Sequence, residues 1–413
     1  MPNAPRTIGL GMVFVVLAGT LMVGHAIKAP CVSGVWDDGR QYTRLCYSDI
    51  VHQLGTEQLA GGRLPYLDPC DAQAAGECDE YPVLTMYAMR LSAWVSGPNI
   101  SGFFYAGAAM MWLAASGIAV CLYLMASARA LYFVAAPTLA IYATMNWDLL
   151  AVALATAATL MYLRRCDVWS GVLLGLGAAA KVYPALLVVA FVAGRFRGRE
   201  PDRGIHLAWA AAGTWIAVNL PFALAGPAGW WEFFRFNAAR VADWDSIWFI
   251  GCERATGGAC ANTRLVNVAS AALFAIWVGL IWVLKQRRDP GFARWTLGFP
   301  ILVVFLLTNK VYSPQFSLWL LPWFALALPH LRLFLAFEMA DVAVFVTRFS
   351  WFGTLTGLED GLAGIPLGAF QIAVLVRAVV LAICVVAWFR RRDGEREPAP
   401  PPLLERASME AVG

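Results

Sequence analysis

The feature that most constrains the fold is a series of apolar segments that recurs along almost the whole chain of 413 residues. Hydrophobic residues make up 60% of the sequence and charged residues only 14%. An apolar run of roughly 17–25 residues can cross a bilayer as a helix, whereas membrane barrels need alternating segments of about ten residues. The sequence shows the first pattern and not the second. It therefore predicts an all-α polytopic membrane protein.

We expect one integral membrane domain over residues 1–392, with about twelve transmembrane helices and both chain ends in the cytoplasm. The Pro-rich segment 393–413 is predicted to be a disordered cytoplasmic tail. Several spans are too short to cross a hydrocarbon core of roughly 30 Å, which is typical of helices that line a cavity. The predicted spans are 8–27, 102–126, 130–145, 148–163, 168–181, 183–194, 206–224, 265–284, 294–308, 315–329, 333–348 and 367–389.

The charge distribution predicts the orientation of the chain. Short loops rich in Lys and Arg stay in the cytoplasm. The stretch from Lys28 to Glu80 has nine acidic residues against four basic ones, so it is predicted to be extracytoplasmic. We therefore expect a multi-pass plasma-membrane protein with its active site on the extracytoplasmic side and no nucleic-acid partner. The basic clusters are Arg164–Arg165, Arg195–Arg203, Lys285–Arg288 and Arg390–Arg392.

This orientation defines two outer regions, residues 28–101 and 225–264. The first includes an amphipathic stretch near 50–61 and an apolar run that ends near Ser96. That run is short and contains Arg90, so we expect a helix that lies at the membrane interface.

Six of the nine cysteines fall in these two regions, which is typical of an oxidising compartment. Six cysteines allow 15 connectivities, and free thiols are the alternative. No His has ligand spacing to them, so no metal site is predicted. Sequence neighbours suggest the pairs Cys31–Cys46, Cys70–Cys78 and Cys252–Cys260.

Asp49 follows the first span directly, in the polar segment Cys46-Tyr47-Ser48-Asp49-Ile50-Val51-His52. A carboxylate just outside the bilayer, at the mouth of a helical bundle, is suited to act as a general base. The alternative is an N-cap for the helix that starts near Ile50. Two further carboxylates adjoin predicted turns. Glu80 precedes Tyr81-Pro82 and either orients an acceptor or is solvated, while Asp148 either lines a cavity or caps a helix.

Two lysines occur in nearly identical contexts, Lys181-Val182-Tyr183-Pro184 and Lys310-Val311-Tyr312-Ser313-Pro314-Gln315. Both follow an outward-going span, and each Pro ends the local helix and turns the chain back. Two ammonium groups at the two turns formed in this way are suited to bind a phosphate. The alternative is that they snorkel to lipid headgroups.

The second outer region is rich in aromatic residues, including Trp230, Trp231 and Trp244. Interfacial anchoring is the default role for such residues, and stacking on a sugar ring is the more specific one. Arg240 and Arg264 flank the region as further candidates for binding phosphate.

Three charges fall inside the last two spans: Glu338, Asp341 and Arg377. Unpaired charge is expensive in lipid, and Glu338 and Asp341 share a helix face. We expect both carboxylates to pair with Arg377.

The chain resembles the membrane-embedded glycosyltransferases of the C superfamily (GT-C), and more narrowly glycosyltransferase family 87. The resemblance rests on Asp49-Ile50-Val51, on Gly62-Arg63-Leu64-Pro65-Tyr66, on Glu80-Tyr81-Pro82 and on the two Lys-Val-Tyr motifs. It covers roughly Ile8 to Arg390. The cysteine-rich first loop is a departure that leaves the acceptor open.

The resemblance implies a hexosyltransferase that uses a polyprenyl monophosphate sugar, with mannose as the expected sugar and arabinose as the alternative. Asp49 would take the proton of the acceptor hydroxyl in one inverting displacement. Lys181, Lys310, Arg240 and Arg264 would bind the donor phosphate. The acceptor would be a cell-envelope glycolipid or glycan, and no cofactor or metal is implied for a protein that we expect to be monomeric. The substrate-binding candidates are His52, Glu80, Tyr81, Asp148, Tyr183, Tyr312 and Gln315.

Two other function classes compete with this interpretation. A secondary transporter or lipid flippase would share the helix count and the buried charges, but it predicts an internal repeat that is not evident beyond the paired lysine motifs. A non-catalytic scaffold would leave the outward-facing lysines without a role.

Overall fold

The computed structural model describes residues 8–71, 78–257, 260, 262–358 and 361–392, and these ranges contain helices and no strands. The predicted disordered tail at 393–413 lies outside them. Short 3-10 turns occupy Ala29–Cys31, Leu59–Gly61, Ser127–Ala130, Arg294–Leu297 and Pro314–Leu320. The α-helices are α1 (Leu10–Lys28), α2 (Arg40–Thr43), α3 (Asp49–Thr56), α4 (Val83–Ser96), α5 (Ile100–Ala126), α6 (Leu131–Val134), α7 (Pro137–Tyr142), α8 (Asp148–Leu163), α9 (Asp167–Ala180), α10 (Pro184–Arg197), α11 (Pro201–Ala225), α12 (Pro227–Ala239), α13 (Ile247–Thr256), α14 (Thr263–Arg288), α15 (Gly298–Thr308), α16 (Leu321–Leu326), α17 (Leu331–Leu355) and α18 (Leu367–Arg390).

Among the described residues, five helices are long and apolar enough to cross a membrane. They are α1, α5 with its extension to Val134, α11, α14 and α18. The predicted count of about twelve spans is therefore not confirmed, although the all-helical membrane fold is. The shorter apolar helices are α8, α9 and the stretch Arg294–Thr308.

Two predicted spans are broken into short pieces. The span at 130–145 becomes α6 and α7, and the span at 315–329 becomes a 3-10 turn followed by α16. Pro137, Pro314 and Pro322 lack the backbone N–H that a continuous helix needs, and each begins or restarts a helix instead. Most residues of these pieces are buried, so most of their irregular backbone is covered by protein.

Helices α9 and α11 pack closely because two glycines one turn apart face the partner backbone. A Cβ on Gly171 would lie 2.3 Å from the carbonyl oxygen of Leu207, and a Cβ on Gly175 would lie 2.4 Å from that of Ala211. A small residue at each position therefore sets the distance between the two helices.

The basic clusters meet at one end of the bundle, which we call the basic end. Arg165 donates to Glu200, Arg197 donates to the carbonyl of Pro290 at 3.5 Å, and Lys285 donates to the carbonyl of Arg391. The helix α9 starts at this end and leads to the opposite end, where residues 28–101 and 225–264 lie, which we call the first and second large loops.

The three suggested disulfides are present: Cys31–Cys46, Cys70–Cys78 and Cys252–Cys260. The first joins the end of α1 to the segment that leads into α3. Lys28, the last residue of α1, reinforces this link because its Nζ donates to the carbonyl of Tyr47 at 2.6 Å.

The expected pairing of buried charges is half right. Arg377 donates to the Asp341 carboxylate at 3.0 Å, but Glu338 does not bind Arg377. It accepts the backbone N–H of Thr138 at 2.8 Å. Thr138 is in the first turn of α7, whose N–H groups have no partner within the helix, so Glu338 satisfies a helix end instead of an ion pair.

Substituting Gly175→Leu should lower the unfolding midpoint of the detergent-solubilised protein by several degrees, because overpacking at such a contact costs roughly 1–3 kcal/mol. Gly213→Leu is the matched control, since Gly213 lies on α11 and a Cβ there meets open space. Equal midpoints for the two variants would contradict the close α9–α11 contact.

Candidate functional site

The two large loops and the turns after α9 and α15 surround a cavity of about 920 Å³. Most of the residues singled out in the sequence contribute to its wall, whereas Asp148, Tyr312 and Arg264 lie outside it. The predicted residues that line it are Asp49, His52, Glu80, Tyr81, Lys181, Tyr183, Arg240, Lys310 and Gln315.

Asp49 is the first residue of α3, and Ser48 holds the N-cap position. The Ser48 hydroxyl donates to the carbonyl of Thr144 at 2.7 Å, and the Asp49 backbone N–H donates to that of Met145 at 2.8 Å. The Asp49 carboxylate accepts the side-chain amide of Asn146 at 2.7 Å. It therefore faces the cavity as a half-buried acceptor and is held from one side.

The same Asn146 connects Asp49 to Tyr81. The Tyr81 hydroxyl oxygen accepts Asn146 Nδ2 and Gln53 Nε2, both at 2.8 Å, and Gln53 in turn accepts the indole N–H of Trp147 at 2.6 Å. Burial raises the pKa of Tyr81 well above its usual value. Because its oxygen already accepts two bonds, Tyr81 can donate its own proton to a ligand in the cavity.

A buried ion pair between Arg63 and Asp79 helps to position Tyr81. Arg63 binds the Asp79 carboxylate with two nitrogens, at 3.1 and 2.8 Å. Asp79 also accepts the backbone N–H of Tyr66, and the Tyr66 hydroxyl donates to the carbonyl of Tyr81 at 2.6 Å. The Gly62-Arg63-Leu64-Pro65-Tyr66 segment thus helps to position Tyr81, and the Arg63 guanidinium itself does not line the cavity.

Lys181 follows the last residue of α9 and presents its ammonium between the rings of Tyr81 and Phe316, 5.2 and 4.9 Å from their centroids. Behind it, Asp148 Oδ2 lies 3.4 Å from Nζ, and Asp148 Oδ1 accepts the indole N–H of Trp319 at 2.8 Å. Asp148 is almost completely buried. Asp148 does not line the cavity, and its position is that of a counter-charge for Lys181.

Lys310 also lines the cavity, but its ammonium is already hydrogen bonded. Its Nζ donates to the carbonyls of Ala238 at 3.1 Å and Arg240 at 2.5 Å, which fastens the second large loop to the turn after α15. Burial, and then the nearby Arg240 guanidinium, lower the pKa of Lys310 to about 8. The group is therefore charged at neutral pH and fixed in place.

Two predicted residues lie elsewhere. The Tyr312 ring packs under the Arg377 guanidinium, 3.7 Å from its centroid, and its hydroxyl bonds Ser317 at 3.1 Å. Arg264 is exposed in the first turn of α14. Neither side chain lines the cavity, so direct roles in substrate or phosphate binding are not supported for them.

Arg348 is a cavity residue that the sequence interpretation missed. It lies in α17, donates to Asp245 and approaches Asp243 at 3.5 Å. The Asp243 carboxylate also accepts hydrogen bonds from the Ser313 hydroxyl at 3.2 Å and from the Arg240 guanidinium at 3.3 Å. Burial opposes ionisation of Asp243, but the Arg348 and Arg240 guanidinium groups hold its pKa below the usual value. A charge in a predicted apolar span is the signal that could have identified Arg348.

The wall near Asp49 is aromatic. Tyr47 stacks on Phe349 with ring centroids 5.1 Å apart, and His52 meets the edge of Trp36 at 4.3 Å. Burial lowers the pKa of His52, so this ring is neutral at physiological pH. Trp244 adds a further indole to the same wall and is 40% exposed.

A second, apolar groove of about 460 Å³ adjoins the cavity between α9, α10, α11 and α12. Its lining is made almost entirely of aliphatic and aromatic side chains. Four residues line both the groove and the cavity: Pro82, Val182, Phe233 and Phe234. The arrangement can therefore hold a molecule that is charged at one end and apolar at the other.

A family model described as glycosyltransferase family 87 matches residues 80–314. Among solved structures, the chain is similar to ArnT from Cupriavidus metallidurans bound to undecaprenyl phosphate, with 12% identity and a TM-score of 0.47 over 92% of this chain and 78% of ArnT. The apo structure of that ArnT gives 14% identity and a TM-score of 0.47 over 92% and 77% of the two chains. None of the curated proteins matches the chain.

The carboxyl group of Glu57, which is buried just after α3, predicts a pH-dependent stability. Burial and the nearby Glu80 and Asp79 raise its pKa from 4.5 to about 8, although it accepts the Asp79 backbone N–H at 2.7 Å. The folded protein then keeps a proton that the unfolded chain loses, so stability falls as pH rises from 4.5 to 8. Glu57→Gln should remove this fall.

The measurement is the unfolding midpoint across a pH series. Glu57→Gln should exceed wild type by roughly 1–3 kcal/mol of stability near pH 8 and match it below pH 4.5. Glu232→Gln, in the second large loop, is the control and should follow wild type. A wild-type stability that is flat over this range would contradict the prediction.

Proposed function

The chain belongs to glycosyltransferase family 87, and on that premise we propose that it transfers mannose from a polyprenyl monophosphate to an extracytoplasmic glycolipid or glycan of the cell envelope. Membership in an enzyme family favours this proposal over a transporter, a flippase or a scaffold. The observation that supports it most is the junction of the Asp49 cavity with the apolar groove.

The donor combines a charged phosphate with a long apolar chain. In the proposed pose, the polyprenyl chain lies in the groove between α9 and α11 and passes Phe233 and Phe234 into the cavity. The phosphate then meets Lys181, which lines the cavity and directly precedes Val182, one of the four residues shared with the groove. Arg240 and Arg348 supply further positive charge on the same wall.

The reaction is a single displacement at the anomeric carbon. The acceptor hydroxyl oxygen bonds to that carbon while the bond from the carbon to the phosphate oxygen breaks. The hydroxyl proton passes to the Asp49 carboxylate, and the bonding electron pair leaves with polyprenyl phosphate. The leaving group needs positive charge and not a proton, so the cations stabilise the charge that develops on it.

The acceptor would approach along the aromatic wall formed by Tyr47, His52, Trp244 and Phe349. Flat apolar rings with polar neighbours suit the faces of sugar rings, which supports a glycolipid or glycan acceptor. Disulfides in both large loops support an oxidising compartment for this end of the molecule. The basic end would then face the cytoplasm.

Asp49→Asn tests the base. The amide of the variant keeps the shape of the carboxylate and can still accept the hydrogen bond from the Asn146 side chain, but it cannot take a proton. Turnover should therefore fall by about 10²–10⁴ with little change in donor binding. The measurement is transfer of radiolabelled mannose from polyprenyl-phosphate-mannose to a membrane glycolipid extract. Asp37→Asn, an exposed carboxylate of the same loop, is the control and should keep wild-type turnover.

Each result has a defined meaning. Full activity of Asp49→Asn would remove Asp49 from the mechanism and direct attention to Glu80. Transfer of arabinose but not mannose by wild type, in a panel of lipid-linked donors, would refute mannose and keep the reaction. No transfer with any donor, by a protein that binds none of them, would contradict the proposed donor class.

Lys181→Met should weaken donor binding about 10–100-fold, the effect of losing one contact to a charged group. This change also leaves Asp148 as an unpaired buried charge, which destabilises the protein. The double variant Lys181→Met/Asp148→Asn removes that cost and should fold well while its donor KM remains raised. Arg235→Met, an exposed cation in the second large loop, is the control. An unchanged KM in the double variant would exclude Lys181 from phosphate binding.

A further inference from the structure

A further groove of about 760 Å³ opens on the side of the basic end, between α10, α11 and α14, and meets the apolar groove at Val188 and Ala208, which line both. It shares no lining residue with the Asp49 cavity among the residues that the structure describes. Val189 and Phe196 of α10 form its walls together with Trp282 of α14, and both α10 residues are 52% exposed. Arg197 and Arg294 lie at its polar end, beside Gln286.

These two arginines lack the counter-charges that the neighbouring ones have. Within the described ranges, no carboxylate forms an ion pair with either of them, whereas Arg195 binds Asp167 at 2.6 Å. Arg294 is only 8% exposed, and its Nη1 has no hydrogen-bond partner, while its Nη2 donates to Gln286. Arg197 makes one long contact, at 3.5 Å, to the carbonyl of Pro290.

A nearly buried guanidinium without a counter-charge is costly unless an anion completes it. Arginine binds phosphate with two parallel N–H groups, and two arginines at one site favour a phosphate-type anion over a lone carboxylate. The nearest acid of this segment, Asp289, is already paired with Lys285 at 3.1 Å. The anion must therefore come from outside this part of the chain.

The apolar walls indicate what carries that anion. A free phosphate would use only Arg197 and Arg294 and would leave Val189, Phe196 and Trp282 uncovered. A phospholipid uses both parts of the groove, since its phosphate reaches the arginines and its acyl chain covers the walls. The cytoplasmic leaflet, which basic loops face, is the anionic one.

We propose that this groove is a binding site for one anionic phospholipid, with its phosphodiester on Arg197 and Arg294 and an acyl chain along Val189, Phe196 and Trp282. The site lies at the opposite end from the glycosyl-transfer cavity. Arg197 and Arg294 line neither the apolar groove nor the Asp49 cavity, so the proposed phosphodiester contacts do not depend on the identity of the donor or the acceptor.

The test measures the unfolding midpoint of the purified full-length protein in detergent while phosphatidylglycerol is added, because a ligand that binds the folded state raises that midpoint. Wild type should show a saturable rise with phosphatidylglycerol and none with phosphatidylcholine. Arg197→Gln and Arg294→Lys should each require about tenfold or more lipid for the same rise. Arg197 is exposed, so its substitution leaves the fold intact.

Two further variants separate a built site from general surface charge. Ala193→Phe fills the groove but keeps both arginines, and it should also weaken the lipid effect. Arg287→Gln removes one exposed positive charge of α14 outside the groove and should respond like wild type.

Three outcomes would overturn the proposal. The first is an equal response in every variant, which would mean diffuse attraction to the basic end. The second is an equal rise with inorganic phosphate alone, which would mean a free-anion site. The third is an equal rise with phosphatidylcholine, which would mean that the arginines do not select the headgroup.

Discussion

The candidate site depends on one junction, where the start of α3 is hydrogen bonded to the turn before α8. Ser48 and Asp49 both donate to backbone carbonyls of that turn, and Asn146 returns a bond from the turn to the Asp49 carboxylate. The disulfide Cys31–Cys46 and the Lys28 contact to Tyr47 limit the motion of the segment just before the junction.

The cations of the cavity obey a second constraint, because like charges repel strongly in a partly dry space. Each of these four cations has an acid or carbonyl groups beside it: Asp148 beside Lys181, Asp243 beside Arg240, Asp243 and Asp245 beside Arg348, and two backbone carbonyls at Lys310. This arrangement keeps the empty cavity stable and orients the cations before a phosphate arrives. Preorganised charge of this kind avoids reorganisation during the reaction.

The sequence predicted the parts of the structure that follow from local rules. Apolar runs located most helices within a few residues, and charge clusters and cysteine spacing identified the two ends and the disulfide pairs. It predicted the pair of Asp341 with Arg377 but not the pair of Arg348 with Asp243, which are far apart in the chain and become partners only through folding. The Glu338 error has the same origin, since its partner is a helix end 200 positions away.

The two lysine motifs show how a small change in sequence redirects a side chain. In the first, Tyr183 directly precedes Pro184 and is the N-cap of α10, so its ring stacks on Trp319 at the cavity wall, with centroids 4.3 Å apart. In the second, Ser313 is inserted before Pro314 and takes the N-cap position, which moves Tyr312 one residue further from the helix start. Its ring then packs under Arg377 in the core. The Ser313 hydroxyl donates to Asp243 and helps to hold this carboxylate beside Arg348. The second motif therefore places a polar contact where the first motif places an aromatic ring. The likeness of the motifs therefore fixes where the two lysines emerge, and the single inserted residue decides what surrounds them.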